Sequence, residues 1–265
     1  MNRSTGKSDD RLADGQTASQ ERRAQQLRLL WRIRRRYETV TEHLRFGTLT
    51  IAFVRVADPD RVLDQVAEED DRREKQEGRR LSGDELHLPY WAELWDSALA
   101  VGDFLAAERG LTLLARCRQS AGVLDLGCGM GLAGTVAALL GGARVTLADL
   151  EPPALLFARL NSLAAADRVE VRRIDWRTAD LKRRFGLIIG ADILYDRNEW
   201  WFLEPFWRRH LCAGGTVLLG EPGRQTGDDF PEWIAQRGWH VEQLKQHVPM
   251  RKKDVRIFLL RADVR

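Results

Sequence analysis

The sequence predicts an α/β protein: a doubly wound, seven-stranded sheet with an antiparallel last strand, carrying a small N-terminal α+β extension. Three observations carry that expectation. A short apolar strand, Val123-Leu124-Asp125-Leu126, runs into a glycine-rich turn, Gly127-Cys128-Gly129-Met130-Gly131, with a helical pattern directly behind it. The next strand ends in Asp149, about 20 residues beyond the turn, where such a unit sets a carboxylate to accept hydrogen bonds from ribose hydroxyls. Downstream, strand and helix patterns alternate and then close on two consecutive strands, as a sheet with helices on both faces and an antiparallel edge pair requires.

In chain order, residues 1–20 are polar, lack periodicity and hold too little apolar surface to repay ordering, so a disordered tail is expected. Residues 21–37 set Leu27, Leu30, Trp31 and Ile33 among Arg22, Arg23, Arg28, Arg32, Arg34, Arg35 and Arg36, the pattern of a short basic amphipathic helix. Such a helix either lies solvated on the domain or meets an acidic partner or nucleic acid. Residues 39–45 and 48–56 are β-branched and partly alternating around Phe46-Gly47, which predicts a hairpin or two short strands, and 58–66 reads as a helical turn. The charged run 68–83 predicts a mobile linker, so residues 21–87 form an accessory region and 88–265 the main domain. The main domain opens on Leu88-Pro89-Tyr90-Trp91-Ala92-Glu93-Leu94-Trp95, taken as the start of a helix to about residue 108, with Trp91 and Trp95 on one face. After the glycine turn and a helix over 132–140, strands are expected at 143–148, 169–174, 185–191, 215–220, 239–245 and 254–261, and helices at 197–210 and 229–237.

Composition bounds the rest. A chain of 265 residues with 44% hydrophobic composition holds one large core plus extensions, and a net charge of +3 decides little about partners. No apolar run approaches a membrane span and no hydrophobic signal centre precedes residue 20, so a cytoplasmic protein is expected. Cys117, Cys128 and Cys212 are isolated, and the five His residues give no zinc spacing, which predicts free thiols and no metal. Cys128 either lines a pocket or packs as a small residue.

The turn itself argues for a nucleotide site of a particular kind. A dinucleotide fingerprint reads G-x-G-x-x-G, whereas here the third glycine, Gly131, comes one residue early and Leu132 follows it. Asp125 stands two residues before the first glycine. That arrangement resembles motif I of class I S-adenosylmethionine-dependent methyltransferases, in which the carboxylate lies beside the amino-acid portion of the cofactor. Further segments line up in the order used by methyltransferase family 16, the seven-β-strand enzymes that include many protein lysine methyltransferases. They are Pro89-Tyr90-Trp91-Ala92 with Leu94-Trp95, Asp175-Trp176 after the third core strand, and Gly190-Ala191-Asp192-Ile193-Leu194-Tyr195-Asp196 after the fourth, with an Asp-x-x-Tyr signature. The chain departs from relatives at Asp96-Ser97-Ala98, where they often carry Pro with a small residue.

The resemblance covers about residues 88–260 and implies a Rossmann-like fold, S-adenosylmethionine as cofactor and a protein lysine as acceptor, ahead of a small-molecule amine and of RNA. It implies cofactor contacts from Trp95, Asp125, Gly127, Gly129, Gly131, Asp149, Asp175, Trp176 and Ala191. Asp175 would meet the exocyclic amine of the adenine and Trp176 would stack on it. Asp192, through its carboxylate or its carbonyl, and Tyr195, through its hydroxyl, would orient the acceptor amine at the mouth of the channel. No dedicated base is expected, because a lysine ammonium with an ordinary pKa of about 10.4 loses its proton more readily once desolvated.

Overall fold

The computed structural model describes residues 6–80, 88–118 and 121–263. Helix α1 (Gly6–Arg34) leads into the hairpin β1 (Thr39–Phe46) and β2 (Leu49–Val56), paired antiparallel from Thr39 with Val56 to Phe46 with Leu49, as the alternation predicts. The expected structureless tail is instead helical from Gly6, while residues 1–5 lie outside the described residues. Once α1 is nucleated where Leu29 and Ile33 are buried, each residue added at its N-terminal end gains a hydrogen bond for the dihedrals it fixes. The charged segment is likewise helical over most of its length: α2 (Pro59–Glu77) starts at Asp58, whose carboxylate accepts from the Arg61 amide at 3.1 Å, and stops at Gly78 in the left-handed region. Local charge therefore marked a solvated helix there, and residues 81–87 lie outside the described residues.

The opening of the main domain also differs from expectation. Tyr90–Ala92 forms a single 3₁₀ turn, and the helix begins only at Asp96, as α3 (Asp96–Ala106), followed by α4 (Glu108–Arg118). Pro89 and the extended backbone of Glu93 and Trp95 break what the aromatic spacing presents as one helix.

The sheet then builds as β3 (Val123–Leu126), α5 (Leu132–Gly141), β4 (Val145–Asp149), α6 (Pro152–Asn161), β5 (Val169–Arg173), β6 (Phe185–Ala191), α7 (Trp200–His210), β7 (Leu211–Glu221), α8 (Phe230–Ala235), β8 (Trp239–Val248) and β9 (Lys253–Ala262). Its order is β5-β4-β3-β6-β7-β9-β8, with β9 antiparallel to both neighbours, as the two consecutive terminal strands predict. Alternate residues along the central strands serve separate cores. Val123, Leu187, Ile189 and Leu218 face a cluster containing α3, α5 and α6, whereas Leu124, Ile188 and Leu219 face α7 and α8.

The N-terminal hairpin is part of the first of these cores. Leu44, Phe46, Phe53 and Val56 are buried in the same cluster as Phe157 and Ala158 of α6. Asn161, at the end of α6, reads β2 as a strand would: its Oδ1 accepts from the Val54 amide, and its Nδ2 donates to the Val54 carbonyl, each at 2.9 Å. The same Nδ2 reaches the Met130 carbonyl at 2.9 Å, tying hairpin and glycine turn together. No helix among the described residues is long and apolar enough to cross a membrane.

Candidate active site

A cavity of about 740 Å³ opens at the carboxyl ends of β3, β4, β5 and β6, the position where an open α/β sheet binds ligands. Its floor is Asp125, Gly127, Cys128 and Gly129; its sides are Asp149, Asp175-Trp176 and Ala191-Asp192; its roof is Tyr90, Trp91 and Glu93-Leu94-Trp95 with Phe53 from the hairpin. Every residue assigned from the sequence lines it except Gly131. Gly131 is the left-handed residue (φ 85°) that precedes α5, and a Cβ there would lie 2.9 Å from Ala158 of α6. Its lack of a side chain lets α5 pack against α6.

Gly127, by contrast, faces the cavity at φ 66°, where a Cβ would come within 2.8 Å of Ile193 and 3.4 Å of the Trp176 ring. Asp149 braces the turn: its Oδ2 accepts from the Gly129 amide at 2.8 Å and its Oδ1 from the Glu151 amide at 2.9 Å. Burial raises its pKa against the pull of these bonds. Asp125 is buried deeper, and only its Oδ2 is satisfied, by the Gly134 amide of α5 at 2.7 Å. Its Oδ1 is buried without a partner among the described residues. Burial, assisted by the charge of Asp149, pushes Asp125 up to about 7 against the opposing effect of the Gly134 bond.

On the third side, Trp176 is fixed by Glu199, which precedes α7. The indole Nε1 donates to Glu199 Oε2 at 2.7 Å, and Arg177 pairs with the same carboxylate, its Nε 3.0 Å from Oε1. Asp175 turns the loop by accepting from the Arg177 amide at 2.9 Å.

At the mouth, Tyr195 lies 5.3 Å from Tyr90, and Tyr90 lies 6.5 Å from Trp95, ring centre to ring centre. Burial raises the Tyr195 hydroxyl to about 12, so it stays protonated at neutral pH. Trp95 donates from Nε1 to the Tyr90 carbonyl at 2.8 Å, whereas Trp91 turns away to pack on Tyr37 at 5.2 Å and Phe157 at 5.8 Å. The two tryptophans thus do not share a helix face. Asp192 adopts φ 59°, and its nearly buried carboxylate is held in two bonds by Arg224, Nε at 2.9 Å and Nη2 at 2.8 Å. The same guanidinium sits 5.2 Å from the Trp95 ring. The Asp192 carboxylate is thus committed to Arg224. Glu221, buried at the end of β7, fixes the loop by accepting from the amides of Gly223 (3.0 Å) and Arg224 (2.5 Å) and pairing with Arg256.

Arg224, Glu199 and Phe53 escape sequence reasoning. Glu221-Pro222-Gly223-Arg224, a carboxylate and a turn at a strand end, is the one local signal that could have pointed to Arg224. Neither Glu199 nor Phe53 has one.

Residues 84–229, more than half of the chain, match the family described as lysine methyltransferase. The electron transfer flavoprotein beta subunit lysine methyltransferase of Xenopus laevis is 34% identical over 149 residues, 54% of this chain and 56% of that protein. The protein N-lysine methyltransferase METTL21A of Xenopus tropicalis is 38% identical over 135 residues, 48% of this chain and 58% of that one. The match spans little more than half the length of these relatives. Among solved structures, the glycopeptide N-methyltransferase MtfA complexed with sinefungin superposes with a TM-score of 0.52 at 17% identity, over 63% of this chain and 94% of that one, a likeness of fold. With motif order, sheet topology and family match in agreement, the chain belongs to the lysine methyltransferase family.

Proposed function

We propose that the protein is an S-adenosylmethionine-dependent protein lysine N-methyltransferase. The observation that carries this reading is the charge of the cavity: among the described residues, Glu93, Asp125, Asp149, Glu151, Asp175, Asp192, Asp196 and Glu199 line it with Arg177 as the one cation. A sulfonium cofactor bearing an ammonium group, and an acceptor that arrives as an ammonium, are the ligands such a lining favours. The cofactor also fits in detail. The partnerless Asp125 Oδ1 suits its ammonium end, the remaining lone pairs of Asp149 suit ribose hydroxyls, and the Trp176 ring with Asp175 suits the adenine. Gly127, Gly129, Ala191 and Trp95 complete the enclosure.

When bound, S-adenosylmethionine supplies a methyl group activated by the sulfonium. The chain's own part is to hold and desolvate the amine. Tyr90, Trp95 and Tyr195 exclude water from it, which favours the neutral form that can react. The Tyr195 oxygen and the Asp192 carbonyl accept the amine hydrogens and aim its lone pair, while Arg224 holds Asp192 in place. Such alignment contributes on the order of 7–11 kcal/mol.

Calorimetric titration with S-adenosylmethionine, with NAD as control, tests the cofactor; radiolabelled cofactor in a cell extract then tests the acceptor. Binding of the first alone and label recovered as methyllysine are the expected results, and folded protein that binds neither would overturn the reading. Label recovered instead in the low-molecular-weight fraction would select a small-molecule acceptor.

A further inference from the structure

Helix α1 presents a face that nothing in the described structure covers. Leu29 and Ile33, 7% and 1% exposed, pack inward, whereas Leu27 and Trp31, four residues apart and 61% and 62% exposed, stand on the opposite stripe. Helical spacing sets Arg28 and Arg32 along one side of that apolar stripe and Arg23 and Arg34 along the other, and Arg35, just beyond α1, lies over the Trp31 ring. Arg23, Arg28, Arg32 and Arg35 form no ion pair with any described carboxylate, and Arg34 donates only to the Thr39 hydroxyl. A helix merely laid on its domain has no need of tryptophan and leucine at the centre of its solvent face, flanked by uncompensated charge. The C-terminal end of α1 lies beside the site. Tyr37, three residues beyond α1, packs its ring against Trp91, which lines the cavity.

We infer that this outward face of α1 docks an acidic patch with an apolar centre on the protein that is methylated, an inference that rests on the acceptor being a protein. Charge complementarity requires an anionic partner, and the apolar stripe selects among anionic partners. Trp and Arg together are the residues on which protein interfaces concentrate binding energy. A nucleic acid would use Trp31 as an open stacking platform, yet Arg35 already lies over that ring at 5.0 Å, and Leu27 offers a base or phosphate nothing. Two apolar side chains are too few to seat the described part of the helix in a bilayer interface. Remote docking of this kind lets the acidic cavity accept a lysine while selectivity is read elsewhere on the same substrate.

The test compares the full-length protein with Arg28→Glu/Arg32→Glu and with Leu27→Ser/Trp31→Ser, all on the surface away from the cavity. S-adenosylmethionine affinity within twofold of wild type shows that fold and cofactor site persist. Each protein is then incubated with radiolabelled S-adenosylmethionine and cell extract, and label is followed in protein, in ribonuclease-sensitive material and in small molecules. A tenfold or greater fall in the initial rate of protein labelling is expected for both variants, the deficit of Arg28→Glu/Arg32→Glu narrowing as salt screens the reversed charges and that of Leu27→Ser/Trp31→Ser persisting. Equal protein labelling by all three overturns the docking surface and leaves the methyltransferase reading standing. The docking surface is overturned in the same way if the variants lose only self-association, or only binding to phosphatidylserine vesicles, while protein labelling is unchanged. Label confined to ribonuclease-sensitive material or small molecules from wild type itself overturns the protein acceptor and the docking surface with it.

Discussion

The pairing of Asp192 with Arg224 makes a quantitative prediction. Arg224→Met removes two charge-assisted bonds, 2.9 and 2.8 Å long, from a carboxylate whose side chain is 4% exposed. Breaking a buried pair by truncating one partner costs about 3–5 kcal/mol, because the remaining charge is left uncompensated. The guanidinium is itself 39% exposed, so water can partly replace it, and about 2–3 kcal/mol is expected here. Asp192→Asn keeps the side-chain shape and tolerates the φ of 59°, since asparagine adopts the left-handed region more readily than most residues. The double variant buries no unpaired charge, so its loss of stability should fall short of the sum of the single losses by at least about 1 kcal/mol. Urea unfolding of the four proteins without cofactor measures the cycle. Additive losses, or a loss below about 1 kcal/mol for Arg224→Met, would refute the reasoning and return the Asp192 carboxylate to the acceptor amine.

Three further outcomes are expected. Asp149→Ala should weaken S-adenosylmethionine binding at least tenfold by calorimetry, since each hydrogen bond to a charged group contributes about 1.5–3 kcal/mol and the Gly129 amide loses its brace as well; unchanged affinity removes Asp149 from the site. Glu199→Gln cannot hold both the Trp176 indole and the Arg177 guanidinium as the carboxylate does, so the KM for cofactor should rise about fivefold, the equivalent of one hydrogen bond of about 1 kcal/mol, with kcat little changed; a change in kcat alone would count against an anchoring role. Burial raises Asp125 to about 7, so the folded protein holds this proton more tightly than the unfolded chain, and the stability it contributes is full below the ordinary carboxylate value and lost as pH climbs to about 7. Asp125→Asn, which keeps an acceptor for Gly134, should remove that part of the pH slope in urea midpoints between about pH 4 and 7, and identical slopes would contradict it.

What the sequence made legible was local. The glycine turn, Asp149, the β1–β2 hairpin and the antiparallel ending all declare themselves within a few residues, through periodicity or turn chemistry. Where it misled, a local signal competed with another of equal strength: charge density in 68–77 reads as linker and as solvated helix, and the aromatic spacing of Trp91 and Trp95 reads as a helix face until Pro89 and extended backbone separate them. What it could not disclose was pairing at a distance. Asn161 binds Val54 across 107 residues, and Arg224 binds Asp192 across 32. Neither partner announces the other, because a single Arg or Asn in a sequence looks the same whether it is solvated or clamped.

That distinction governs how the site works. Eight carboxylates line the cavity, but a carboxylate already held by the protein has little attraction left for a cationic ligand. Glu199 is taken by Trp176 and Arg177, Asp192 by Arg224, and Asp149 spends one lone pair of each oxygen on the glycine turn and on the Glu151 amide. Unspent capacity therefore remains on the second half of Asp149, on the inner oxygen of Asp125, on Asp175 and Asp196, which each accept one backbone amide, and on Glu93 and Glu151, whose side chains make no hydrogen bond or ion pair among the described residues. Burial raises the pKa of the Glu93, Asp125 and Asp149 carboxyls, the state of groups desolvated before a partner arrives. Under the proposed function, a cationic cofactor or amine would recover for these groups the electrostatic compensation that burial withholds, so part of its binding energy would come from relieving them.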